Sequence, residues 1–152
     1  MSESRQDRFE RAALRYLGAH DRTEAQMSAY LTRRGAPPAR IRELLAQFRS
    51  RGYLNDRTYA LRWAQGRLAR RPLGPARLEA ELESKGFLQA AVADAVRTVY
   101  KETSPREVAT RALRQREQRG TPLTLARKAG LLRQAGFDEE LIDELLGLDD
   151  DR

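Results

Sequence analysis

Apolar positions recur along the chain at helical spacing and are interrupted by short polar stops. Phe9, Ala12, Ala13, Tyr16 and Leu17 fall on one face of a helix predicted over residues 8–19. Thr23-x-x-Gln26 then forms a capping box, in which hydroxyl and amide satisfy two free backbone N–H groups at the start of a second helix. Gly35 stops that helix by accepting a left-handed backbone. Pro37–Pro38 starts a third, with Ile41, Leu44, Leu45 and Phe48 as its apolar stripe. The same signals then return. Asn55 and Asp56 cap a helix carrying Tyr59, Ala60, Trp63, Ala64 and Leu68; Pro75 and Gly86 bound the next; Val92, Val96 and Val99 mark the one after. On the third pass, Ser104-x-x-Glu107 is another capping box, and Asp138 caps a last helix onto which Phe137 can staple through Ile142.

The recurrence holds register. The segments YLTRRGA, ELESKGF and LLRQAGF place Gly35, Gly86 and Gly136 at spacings of 51 and 50 residues. Leu31, Leu82 and Leu132 precede these glycines by four residues, and Ile41, Val92 and Ile142 follow them by six. RPLGPAR aligns with TPLTLAR further upstream. A period near fifty signals stacked copies of one supersecondary unit. The predicted fold is therefore all-α: three tandem three-helix repeats over residues 8–54, 55–101 and 102–148, forming an elongated, curved array in which each unit touches only its neighbours. Residues 1–7 form a flexible lead and 149–152 an acidic tail. Such an array predicts a radius of gyration clearly above the roughly 15 Å of a compact globule of this length.

Composition agrees with helix. Valine and isoleucine occur only at Ile41, Val92, Val96, Val99, Val108 and Ile142, whereas Ala, Leu, Arg and Glu dominate. The absence of cysteine excludes disulfides and thiolate-ligated metal. A polar amino terminus and the lack of a bilayer-length apolar run lead us to expect a cytoplasmic protein with no membrane partner.

Charge sharpens the picture. The formal net charge is +7, but residues 1–56 carry 11 Lys/Arg against 7 Asp/Glu, residues 57–135 carry 17 against 7, and residues 136–152 carry 1 against 8. The acidic end thus masks half of a strongly basic body, and that segregation points to an anionic partner.

Catalytic groups are hard to find. His20, the single histidine, falls at a helix end beside Asp21, where a cation is welcome, so it reads as structural or solvent-facing. GPAR lacks the Lys-Ser/Thr ending of a phosphate loop, and the pairs Glu79/Glu83 and Glu139/Glu140 sit in solvent-facing patterns. We therefore expect no catalytic residue, no metal and no cofactor. Basic side chains are the better lead. Arg62 and Arg70 point away from the Ala60–Ala64 face, Arg111 and Arg114 do so opposite Ala109 and Ala112, and Arg77 and Arg127 occupy matched sites on the second helices. With Arg71, Lys85 and Lys128 they make a candidate binding surface. Arg67, also in that set, and Arg116 fall within apolar arcs, and either snorkel to an ion pair or face a groove between units. Tyr59 and Trp63 match a core stripe, with base stacking as the alternative.

The segments GYLND with the following RTYA, GPARLEAELESKGF, and PLTLARKAGLLRQAGF resemble the RecX family, bacterial regulators of the RecA recombinase. The resemblance implies three tandem three-helix repeats, no catalysis, and an elongated, curved, basic protein lying in the groove of the RecA–DNA filament. It further implies inhibition of strand exchange, ATPase and coprotease activities in the control of DNA repair and the SOS response. Separately, we expect a monomer. Asn55 stands where the family more often has Asp, and Lys128 occupies a position that is apolar in the other units, at Met27 and Leu78. The resemblance covers roughly residues 9–146, but several family members lack so acidic an end, so it implies no role for DEELIDELLGLDDD. Two other readings remain open: a sequence-independent DNA-binding protein contacting single- or double-stranded phosphates, and a helical-repeat adaptor for another protein.

Overall fold

A computed structural model describes residues 7–120 and 122–148; the expected acidic tail and nearly all of the amino-terminal lead lie outside the described residues. Among those residues there are nine helices and no strand: α1 Arg8–Ala19, α2 Glu24–Arg33, α3 Pro38–Ser50, α4 Asp56–Arg70, α5 Pro75–Ser84, α6 Gln89–Glu102, α7 Pro105–Glu117, α8 Leu125–Gln134 and α9 Glu139–Leu146. The fold is an all-α helical repeat of α1–α3, α4–α6 and α7–α9. Local chemistry sets the boundaries. Both predicted capping boxes form, Thr23 with Gln26 and Ser104 with Glu107, and Asp7, Asn55, Thr124 and Asp138 cap four further helices through their side chains. Pro75 occupies the first position of α5, where its missing N–H costs nothing. Gly35, Gly86 and Gly136 all adopt positive φ just past the second helix of their unit.

Two cores hold the array together. The first unit encloses Ala13, Met27, Leu31, Leu44 and Phe48, closed by Leu54. The second and third units share one continuous core that runs from Ala60, Leu78, Leu82 and Val99 to Val108, Ala109, Leu132 and Ile142. Each fully buried leucine contributes roughly 1.5–3 kcal/mol, so the last two units are welded by apolar burial while the first is attached differently. Tyr100 adds a polar tie inside the second unit, its O–H donating to the Leu73 carbonyl at 2.6 Å.

The units meet at equivalent places in the repeat, but through different contacts. At the first joint, Gly86 beyond α5 abuts the start of α2, with the position of a Gly86 Cβ only 3.4 Å from the Ala25 methyl. At the second, Gly136 beyond α8 abuts the start of α5, where the Gly74 N–H donates to the Ala135 carbonyl at 2.7 Å and the Ala76 N–H to the Gly136 carbonyl at 3.2 Å. The three second helices therefore run head to tail, α8 into α5 into α2. Among the described residues no hydrogen bond or ion pair links the first unit to the third.

Buried Asp56 secures the first joint. One of its carboxylate oxygens accepts from the Glu24 N–H at 3.0 Å, and the other from the Leu88 N–H at 3.0 Å. A single side chain thus satisfies a free N–H at the head of α2 in one unit and another at the head of α6 in the next.

Candidate functional site: a cationic trough across two units

The helix α4 turns one face into the shared core through Ala60, Ala64 and Leu68, which leaves Arg62, Gly66 and Arg70 on the other. Beside it α5 buries Leu78 and Leu82 and leaves Ala80, Glu81 and Ser84 outward. The gap between these faces is a cavity of about 730 Å³, into which Trp63 and Arg67 also reach. A second cavity of about 480 Å³ continues from Arg70 and crosses the joint to the third unit, where Ala112, Gln115, Arg116 and Arg119 of α7 and its end face Leu131 and Gln134 of α8. The two cavities adjoin at Arg70, and together they make a trough lined by cations of two successive units.

The predicted basic residues divide by what holds them. Arg70 and Arg71 line the trough, and Arg114 and Arg127 are exposed elsewhere on the third unit; none of the four makes an ion pair among the described residues. Arg62 lies at the trough's edge but pairs with Asp21 of the first unit at 2.7 Å. Arg67 is the ion-paired case: its guanidinium grips Glu81 with two bonds, of 2.7 and 3.1 Å. Arg77 reaches the same carboxylate at 3.2 Å and donates to the Gln134 carbonyl of the third unit. Lys128, though at a position apolar elsewhere, is accommodated by Glu117 at 3.3 Å. Lys85 caps α5 and sets its ammonium 5.4 Å from the centre of the Trp63 ring.

One expectation needs adjustment. Arg111 does not join an outer face: it is half-buried and donates to the Leu68 carbonyl across the second joint. Of the two readings given for Arg116, the structure has the groove: it stands exposed in the trough between units. Arg119 belongs to the trough and escaped the sequence reading because it follows the end of α7, beyond the periodic pattern. Tyr59 packs edge-on against Phe87, with ring centres 4.8 Å apart, in keeping with a core stripe. Trp63 sits at the margin of that core and also lines the trough.

Among the described residues Glu81 is the one acidic side chain lining these two cavities. Hydrogen bonds from Arg67 hold its carboxyl below the usual range against the opposing effect of burial, and Arg77 adds to the depression. It stays ionised and keeps both guanidinium groups oriented. The acidic α9 folds onto its own unit: Arg133 pairs with Glu139 at 2.5 Å and Arg106 with Glu144 at 3.9 Å. No group of three or more metal-ligating side chains occurs among the described residues, and no helix among them is long and apolar enough to cross a membrane.

An all-α array of three-helix units defines a helical-repeat protein. Comparison with known proteins makes the class particular. The family model for the first three-helix domain of RecX matches residues 11–48, and that for the second matches residues 55–96. The chain is 32% identical over 129 residues to the regulatory protein RecX of Streptomyces coelicolor, covering 83% of this chain and 69% of that one. It is 30% identical over 152 residues to the regulatory protein RecX of Thermobifida fusca, covering 95% and 82%. The crystal structure of RecX from Lactobacillus salivarius superposes with a TM-score of 0.76 at 22% identity, over 91% of this chain and 93% of that one, which establishes the shared fold. The chain belongs to the RecX family of regulatory proteins.

Proposed function

We propose that this protein is a cytoplasmic, non-enzymatic negative regulator of a RecA-type recombinase, which it engages by lying in the groove of the recombinase–DNA filament. Seated there, it inhibits strand exchange and with it the ATPase and coprotease activities. One observation supports this reading: cations of the second and third units line two adjoining cavities that share Arg70, on an array of repeated three-helix units. Modest contacts spread over rigidly spaced units gain from multivalency only when the partner repeats as well. A filament does so.

The test is recombinase ATPase on single-stranded DNA with this protein added below one molecule per protomer. Strong inhibition is expected at that ratio, and a triple Arg70→Ala, Arg116→Ala, Arg119→Ala variant of unchanged helicity should inhibit less. Inhibition that appears only when the protein saturates the DNA would instead identify simple competition for DNA.

A further inference from the structure

Three features of the trough are not explained by folding. The first is its charge. Arg70, Arg71, Arg116 and Arg119 converge on one cavity, and none has an ion-pair partner among the described residues. Bringing like charges together opposes folding, a cost that a bound anion would relieve. The second is Gly66. It lies in the middle of α4, where glycine costs about 1 kcal/mol relative to alanine, yet a Cβ there would meet nothing within 4 Å. Packing does not require it; its effect is to open the floor of the trough, opposite the small Ala80 and Ser84. The third is Trp63, the only tryptophan of the chain, whose ring is half-buried and lines the first cavity, with the Lys85 ammonium over it at 5.4 Å from its centre.

A charged groove with an aromatic ring in its wall is how proteins hold single strands: cations follow the phosphates and the ring stacks on a base. Duplex DNA fits poorly, because its bases are stacked on one another and offer only their edges. Cavities of about 730 and 480 Å³ also suit a few nucleotides rather than a double helix. An acidic protein surface would satisfy the arginines but leave the ring and the glycine floor unused. We propose that the trough binds a short single strand of nucleic acid, its phosphates on Arg70, Arg71, Arg116 and Arg119 and one base stacked on Trp63. This assignment rests on the reading of the trough as the regulator's working surface, and names what enters it.

The experiment needs no recombinase. Titrating the intact protein with an oligothymidylate of about twelve nucleotides, within the span that such grooves take, should quench Trp63 fluorescence to saturation. A duplex of equal length at the same salt should bind at least about tenfold more weakly, as loss of stacking predicts. Gly66→Gln supplies a variant that strengthens the helix but fills the floor, so it should melt no lower than the parent and still lose strand binding. Trp63→Ala, followed by anisotropy of a labelled strand, should weaken binding roughly five- to a hundredfold. Each of Arg70→Ala and Arg116→Ala should reduce the slope of log affinity against log salt by about 0.7. Equal or tighter binding of duplex, saturation without quenching, or displacement of the strand by an equal concentration of polyglutamate overturns the inference. The outcomes also separate the two readings. If Gly66→Gln abolishes strand binding yet inhibits recombinase fully, the strand has no place in the regulatory act and this inference fails while the regulator stands. If strand binding follows every expectation and recombinase is never inhibited, the inference stands and the proposed function fails.

Discussion

Gly74 and Gly136 meet backbone to backbone, so closely that a methyl group on either would overlap the main chain or first side-chain atom of the other unit. Gly136 also carries a φ of +99°, while Gly35 has a nearly equal φ of +87° with open space around it. The pair separates two costs that usually come together. Gly35→Ala should destabilise by about 1 kcal/mol, from backbone strain alone. Gly136→Ala and Gly74→Ala should each cost about 2–3 kcal/mol or more, because the second joint must part. Urea denaturation compares the three directly; equal losses at Gly35 and Gly136 would mean that the joint yields freely.

Asp56 offers the corresponding test at the first joint. Asp56→Ala leaves two helix-head N–H groups without their acceptor and should cost about 2–4 kcal/mol. Asp56→Asn, which keeps one acceptor oxygen, should fall between the variant and the parent. Thermal melts of the three proteins give the order.

The separation of the cores predicts a separation of stabilities. The first unit is attached by Asp56, by the Arg62–Asp21 pair and by a narrow contact at Gly86, whereas the second and third share apolar burial. Amide hydrogen exchange should therefore be faster throughout α1–α3 than in α5, α6 and α8, as expected for a distinct cooperative unit. Uniform protection across all nine helices would show a single unit instead.

Acid should weaken the fold in a predictable way. The carboxyls of Asp7 and Glu81 are both held below their usual range, chiefly by hydrogen bonds from Arg40 and Arg67 respectively. A lowered folded-state value stabilises fully above the unfolded carboxylate's range, and that contribution is lost as the pH falls through the folded value. The melting temperature should accordingly drop below about pH 4. Asp7→Asn with Glu81→Gln should start lower at neutral pH and show a shallower acid slope. At neutral pH Glu81→Gln should also release Arg67 and Arg77 toward an anion, raising oligonucleotide affinity measured by anisotropy.

Much of this architecture is legible in the sequence because the signals are local. The capping boxes at Thr23 and Ser104, Pro75 at the head of α5 and the three glycines past the second helices act within a few residues of themselves. The trough is legible only in part. Helical angle shows that Arg70 points outward and that Arg67 is unusual, but not that Glu81, 14 residues on, is its partner. Asp56 reads as one half of a cap pair, and nothing nearby discloses that its oxygens reach 32 residues in both directions. Arg111 has the angle of a surface residue, yet its guanidinium donates to the Leu68 carbonyl of α4 in the neighbouring unit. Periodicity states which way a side chain leaves its own helix; the tilt of the neighbouring helix decides what it meets.

The row of second helices has a further consequence at its two extremities. A head-to-tail contact that repeats without closing would, if nothing opposed it, propagate from molecule to molecule as a fibre. Here the exposed tail of the row, past α2, bears Arg33 and Arg34, and the exposed head, at α8, bears Arg127. Matching electrical sign at these two ends works against the addition of a further copy head to tail.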